Sequence, residues 1–199
     1  MKETKRKTED AVRINKYLSQ AGICSRRQAD TYVEEGRVEV DGEIAVSGTK
    51  VLPGQSVTFD GKPVKIQEDL IFLAFHKPRG IVCTASKEEK DNIIDYINYP
   101  TRIYPVGRLD KDTTGLLLLT NDGALAHDLL SPKKHVDKTY LVKPEKPLSA
   151  EDIHRLENGL DIGDEKPTAP SKARLTENGD LLLTIHEGRF HQVKRMLQA

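Results

Sequence analysis

Apolar positions recur with two different periods along the first 66 residues. From Val12 to Gln20 the apolar residues Ile14, Tyr17, Leu18 and then Ala21 share one helical face, with Arg13, Lys16 and Gln20 on another. Gly22 stops this helix, and Ser25 opens a second. Ser25 with Gln28 fits a capping box, Ala29, Tyr32 and Val33 form its apolar stripe, and Gly36 closes it. The period then changes to two. Val38-x-Val40 and Ile44-x-Val46 flank Asp41-Gly42, and Val57-Thr-Phe59 and Val64-Lys-Ile66 flank Asp60-Gly61. Alternation about an Asp-Gly pair predicts a hairpin with a two-residue turn.

Beyond Gln67–Asp69, a polar stretch that reads as a linker, strands and helices mix without βαβ regularity. Strands are predicted at Leu70–Phe75, Arg102–Val106, Gly115–Thr120 (buried on both faces) and Lys138–Val142. Ala173–Leu175 and Leu181–Ile185 form a hairpin about Asn178-Gly179. Helical pieces are predicted at Ile93–Ile97, Ala124–Leu130, Ala150–Asn158 behind Ser149, and His191–Ala199. The fold class expected is α+β: a small first domain of two helices and short antiparallel strands, then a mostly antiparallel mixed sheet. The expected division is a flexible basic tail at 1–11, a binding module at 12–66, a linker at 67–69 and a larger domain at 70–199.

Composition narrows the class. The 199 residues are 37% apolar and 31% charged, with no run near the roughly 20 apolar residues of a membrane helix. The charged start carries no apolar h-region, and Cys24 and Cys83 lack metal-ligand spacing, so a cytoplasmic protein with free thiols is expected. Net charge is zero, but residues 1–27 carry eight Lys/Arg against three Asp/Glu, and residues 28–69 carry four against nine. A basic arm beside an acidic body suits a directional contact with a polyanion.

Two motif lookalikes fail on spacing. His186-Glu187 and His191 put the second histidine at i+5, off the helix face that a zinc site needs. Asp110, Asp112, Thr114 and Gly115 start like a calcium loop, but Asn121 stands where a bidentate Glu is required. There is no phosphate-binding glycine loop and no G-x-S-x-G. What remains is Val106-Gly-Arg-Leu-Asp110-Lys-Asp-Thr-Thr-Gly115. It reads equally as a polar surface turn or as a site. Arg108 and Asp110 alternate about Leu109, so in an extended chain they share a face while Leu109 points to the core. An acid beside an arginine stays ionised, which suits a nucleophile.

Gly107-Arg-Leu-Asp110-x-x-Thr-x-Gly115-Leu-Leu-x-Leu-Thr120-Asn-Asp-Gly123 closely resembles the catalytic motif of ribosomal RNA pseudouridine synthases. His76-Lys77-Pro78-x-Gly80, Lys138-Thr-Tyr140-Leu-Val142 and Gly188-Arg-x-His191-Gln-Val-Lys194-Arg-Met196 resemble three further motifs of that group, in the same order. The first module, through Arg13-Ile-Asn-Lys-Tyr-Leu18, Ser25-Arg26-x-x-Ala29 and Gly36-x-Val38-x-Val40-Asp41-Gly42, is similar to the S4-type RNA-binding domain of the RsuA/RluB/RluF-like subgroup. The resemblance implies isomerisation of uridine to pseudouridine in ribosomal RNA, without metal or organic cofactor. The expected partner is ribosomal RNA or an assembly intermediate, met by a monomer with no membrane contact.

The resemblance assigns catalysis to Asp110, Tyr140 and Lys194. Three roles are open to Asp110: attack on the ribose, addition to the uracil ring, or deprotonation of the ribose. Tyr140 packs on the base and assists its proton transfer, a flat π face and a polar tip serving both uses. Lys194 pairs with the aspartate, although relatives often carry Arg there, so a bidentate clamp is lost. RNA binding is assigned to Arg13, Lys16, Ser25, Arg26 and Arg27 in the first module. In the second it is assigned to Lys77, Arg108, Arg189, His191, Gln192 and Arg195, with Arg108 either filling the space a flipped base leaves or holding a phosphate. The C-terminal stretch and Lys138-Thr-Tyr140 look like small-subunit RNA enzymes, and the N-terminal stretch like large-subunit ones. The expected target is a small-subunit uridine. Relatives continue past the Gln-Val-Lys-Arg-Met helix, so the end of the second domain is expected to be missing. Two other readings stay open: a non-catalytic ribosome-assembly factor, and a glycoside hydrolase using Asp110 and Asp112.

Overall fold

The computed structural model describes residues 11–199 except residue 87. The tail expected at 1–11 lies, apart from Ala11, outside the described residues. By compactness the chain divides into residues up to 126 and residues 127–199, a boundary that falls inside the helix Gly123–Leu130.

In the first unit, strand β1 (Val12–Arg13) runs into helix α1 (Ile14–Gln20), and helix α2 (Arg26–Glu34) follows. Ser25 caps α2 as the sequence predicts: its side chain accepts from Gln28 N at 3.2 Å, and the Gln28 side chain accepts from Ser25 N at 3.0 Å. The opening of the predicted first helix is instead extended. Val12 and Arg13 pair with Val51 and Lys50 of β4 (Lys50–Val51), and this shelters Val51 in the core. Strands β2 (Val38–Val40), β3 (Glu43–Ile44), β5 (Val57–Phe59) and β6 (Lys62–Val64) form an antiparallel sheet in the order β3-β2-β5-β6. Ile14, Leu18, Ala29, Val33, Val38 and Val57 pack between this sheet and the helices.

One predicted face is inverted. Asp41 and Gly42 both take positive φ, the two-residue turn that a right-twisted hairpin prefers. This turn sets Ile44 opposite Glu39, on the outer side, and brings Ala45 N to Val38 O at 2.8 Å. Ala45 is therefore buried, while Ile44 and Val46 are 64% and 67% exposed. A one-residue shift exchanges the two faces of a strand.

The same unit holds a three-stranded antiparallel sheet, β7 (Phe72–Lys77), β9 (Gly115–Thr120) and β8 (Tyr104–Val106), in the order β7-β9-β8. Helix α3 (Ile93–Ile97) covers one face, and Cys83, Ile93, Ile103, Leu117 and Leu119 form its core. The run Leu116–Leu119, read as buried on both faces, buries only Leu117 and Leu119; Leu116 is 67% exposed. Helix α4 (Gly123–Leu130) leads out of this sheet. In the second unit β10 (Lys138–Val142), β12 (Leu181–Ile185) and β11 (Lys172–Leu175) pair antiparallel in the order β10-β12-β11. Helices α5 (Ala150–Asn158) and α6 (Gln192–Gln198) supply Leu156 and Met196 to a core with Leu181 and Leu183. The α+β architecture with antiparallel sheets is as expected. Among the described residues no helix is long and apolar enough to cross a membrane.

Gly159 closes α5 at φ +92, where a Cβ would lie 2.3 Å from the carbonyl oxygen of Thr168. Thr168 is itself locked, donating its N to Leu160 O and accepting from Leu160 N on its hydroxyl. Gly159→Ala therefore adds backbone strain and a steric clash, a loss of about 2–4 kcal/mol. Urea denaturation should show a clearly lowered midpoint; an unchanged midpoint contradicts this packing.

Candidate active site

The register of β7 and β9 builds the site. Lys77, the last residue of β7, stands opposite Gly115, the first of β9, so the loops 78–80 and 107–114 leave the sheet at the same end. Lys77 points inward and is 0% exposed. Its ammonium donates to the carbonyls of Pro78 (2.9 Å), Lys111 (3.2 Å) and Thr113 (2.9 Å). An ammonium has three donors, so all are in use. Gly80 N donates to the same Lys111 carbonyl at 2.8 Å, knitting the two loops together. Burial pushes the Lys77 pKa below its ordinary value, against the opposing charges of Cys83, Asp112 and Asp110.

Asp110 sits on the loop that Lys77 holds. On its N-terminal side Leu109 packs into the core and donates its N to Cys83 Sγ at 3.3 Å. On its C-terminal side Thr113 N donates to Asp110 O at 3.1 Å and closes a turn. Gly107 takes φ +84 just before, a backbone path that favours glycine. Outside the turn, Lys111 pairs with Asp91 at 3.4 Å. The anticipated alternation is present: Leu109 faces the core, Arg108 is exposed and Asp110 is half-buried.

The second unit holds the other motif residues. Tyr140 lies on β10 opposite Leu183, half-buried, with its ring against the Leu181/Leu183 core. Lys194 is exposed on α6. The corner before α6 is a polar lattice. Gln192, 4% exposed, donates to Glu187 Oε1 at 2.7 Å and accepts from Arg189 N at 3.0 Å. The Arg189 guanidinium bonds Glu187 Oε2 and the carbonyls of Lys166 and Pro167. Arg195 donates to Asp164 Oδ1 at 2.6 Å, to Phe190 O at 3.1 Å and to Ile162 O. The Arg195 bond, against some burial and with help from Arg189, holds the Asp164 carboxyl below its ordinary value of 3.8.

These contacts correct several RNA-binding assignments. Lys77 and Gln192 are buried and bonded to their own chain, so no RNA atom reaches them. Arg189 and Arg195 spend their guanidinium groups on carbonyls and carboxylates that would otherwise be unsatisfied. The Ser25 hydroxyl is a helix cap. Arg13, Arg26 and Arg27 are exposed and Lys16 half-exposed on the first module, and Arg108 is exposed beside Asp110. His191 adopts a left-handed conformation and is exposed. Motif position alone marks a basic residue without telling a framework cation from a surface one, and only burial separates the two. Sequence reasoning also missed Arg102, which donates to Ser19 of α1 at 3.4 Å and lies 5.9 Å from the Tyr104 ring centroid, tying the first module to β8. Among the described residues no group of three His, Cys, Asp or Glu could hold a metal ion.

This antiparallel α+β chain sets a cation-bearing two-helix module ahead of a sheet that displays a clamped aspartate loop. The family model described as RNA pseudouridylate synthase matches residues 71–199, and that of the S4 domain matches residues 12–57. The chain belongs to the RNA pseudouridylate synthase family. It is 39% identical over 194 residues to the dual-specificity RNA pseudouridine synthase RluF of Escherichia coli (strain K12), covering 96% of this chain and 66% of that protein. It is 40% identical to ribosomal large subunit pseudouridine synthase B of Bacillus subtilis (strain 168), covering 94% of this chain and 80% of the relative. To ribosomal small subunit pseudouridine synthase A of Yersinia pestis it is 38% identical, covering 94% and 82%. A solved structure described as a crystal structure of pseudouridylate synthase superposes with a TM-score of 0.65 at 33% identity, covering 94% of this chain and 82% of that one. The chain thus spans just under two thirds of the RluF relatives' length, at 66%.

The Asp164 lattice predicts a pH dependence. A carboxyl held below its unfolded value contributes stability that is complete above that value and is lost as pH falls through the lowered one. On acidification from pH 5, the wild type should lose stability through this pair, and Asp164→Asn should show a flatter acid limb from a lower starting stability. Thermal melts from pH 5 to pH 2 check this; parallel limbs contradict it.

Proposed function

We propose that this chain isomerises a uridine to pseudouridine in ribosomal RNA, with the carboxylate of Asp110 as its reacting group. The observation that carries the reading is the Asp110 corner: a half-buried carboxylate on a loop fixed by a buried ammonium, within the stretch matching the synthase family. The reaction breaks the bond from ribose C1′ to uracil N1 and makes one from C1′ to C5. The C5 proton is lost and N1 gains one, so no redox partner is needed. A fixed carboxylate serves as nucleophile or as base for it. Tyr140 handles the base and Lys194 balances the carboxylate's charge, as the resemblance implies.

Residues 12–66 act as the binding module and 70–199 as the catalytic domain, in the cytoplasm, where ribosomal RNA is met. The target is a single uridine of small-subunit RNA. What supports this is the Gly188-Arg-Phe-His-Gln-Val-Lys-Arg-Met196 stretch, which precedes and enters the helix bearing Lys194. The relatives reported above are named for both subunits, so mapping pseudouridines in both ribosomal RNAs of a deletion strain decides between them. Loss of a site in large-subunit RNA alone overturns the choice of target and leaves the chemistry standing.

Two outcomes test the chemistry and the binding. Asp110→Asn keeps the side-chain volume and removes the carboxylate. It should bind RNA like the wild type while turnover falls by at least ~10³-fold; near-normal turnover, or release of free uracil by the wild type, contradicts the assignment. Replacing Arg13, Lys16, Arg26 and Arg27 together should flatten the salt dependence of RNA binding, each lost phosphate contact removing roughly 0.7–0.9 from the log–log slope. An unchanged slope places the phosphate contacts elsewhere.

A further inference from the structure

The corner before α6 displays an aromatic ring that its own framework does not use. Phe190 is 71% exposed, the most exposed aromatic among the described residues. Single exposed apolar residues are common and need no explanation. Phe190 differs in being pre-stacked and held. Its ring centroid lies 3.9 Å from that of His191, with 16° between the planes. The backbone beneath is fixed on both sides: Arg195 donates to Phe190 O at 3.1 Å, and Arg189 N donates to the buried Gln192 side chain at 3.0 Å. His191 sits at φ 48, the left-handed conformation that turns the chain sharply into α6.

We infer that Phe190 is a stacking platform for an unpaired RNA base, with His191 as the ring beneath it. This rests on the reading of the chain as an RNA-modifying enzyme. Two near-parallel rings are the start of a stack, and a nucleobase extends it, since every base offers a π face whatever its sequence. Recognition of single-stranded RNA rests on such aromatic contacts with splayed bases. A rigid corner loses little conformational freedom when a base docks, so contact area turns into affinity with less loss than on a flexible loop. The occupant is a flat base rather than an apolar protein surface, because the displayed feature is a single ring stack on a polar, ion-paired corner, with Glu187, Arg189 and Asp164 around it.

The chain contains no tryptophan, so Phe190→Trp gives a sole tryptophan, selectively excited above the tyrosine absorption, at this position. The probes are transcripts of small-subunit and large-subunit ribosomal RNA. Phe190→Trp should bind at least as tightly as wild type, and its emission should be solvent-exposed without RNA and strongly quenched at saturation. Phe190→Leu, which keeps apolar volume but not the flat face, and Phe190→Ala should both weaken binding by roughly ten-fold or more, with KM raised more than kcat is lowered. Wild-type affinity for Phe190→Leu, or unquenched emission of Phe190→Trp at saturating RNA, overturns the inference. Emission already blue-shifted in the free protein overturns it as well, by showing that the ring is covered within the protein. Pseudouridine formation by the wild type in the same transcripts reads the parent proposal separately. Quenching without any pseudouridine leaves the platform standing and sinks the isomerase reading; pseudouridine without quenching does the reverse.

Discussion

A buried ammonium under the Asp110 loop is the contact on which the rest of the first unit's chemistry depends. Removing a charged amine from water carries a large desolvation cost unless every donor finds an acceptor. Lys77 meets that condition with three backbone carbonyls. Two of the carbonyls, Lys111 and Thr113, belong to the turn that follows Asp110, so the ion's solvation and the loop's geometry are one arrangement. The buried cation therefore lies beneath the loop that carries Asp110 and Asp112. The strand register makes this possible. Lys77 opposite Gly115 places the cation where the two chain segments part.

The second unit uses cations in the same way. Arg189 and Arg195 enclose Asp164 and Glu187 and satisfy the carbonyls of Ile162, Lys166 and Pro167. This lattice presents the start of α6, and with it Phe190, His191 and Lys194. The basic residues assigned to RNA binding therefore fall into two groups. Framework cations are enclosed by carbonyls and carboxylates, while Arg13, Arg26, Arg27 and Arg108 face solvent and Lys16 is half-exposed.

Much of the first module was legible in the chain itself. Helical spacing of Ile14 and Leu18, the Ser25–Gln28 box and the two Asp-Gly turns each express a local rule, and each appears in the structure. The losses came where a partner distant in sequence decides the outcome. Val12 and Arg13 are strand because Lys50 and Val51 lie beside them, and Ala45 rather than Ile44 is inside because the turn fixes the register. The site shows the same pattern. Leu109 between Arg108 and Asp110 could be read from alternation, and Asp110 from its motif. That Lys77 is a buried brace could not, because a lysine in a motif looks the same whether it meets phosphate or carbonyl. Asp164 and Glu187 carry no local signal at all; only the arginines folded onto them give them a role.

The central claim is that Lys77 holds the Asp110 loop in its reactive shape, and hydrogen exchange on Lys77→Met tests it most directly. The amides of Gly80 and Thr113, bonded to Lys111 O and Asp110 O, and that of Leu109 on Cys83 report the loop; those of α2 and β5 report the rest of the unit. The account predicts that the loop amides lose protection in Lys77→Met while those of α2 and β5 keep theirs. Unchanged protection at Gly80, Leu109 and Thr113 would show that the loop stands without the ammonium and would contradict the account.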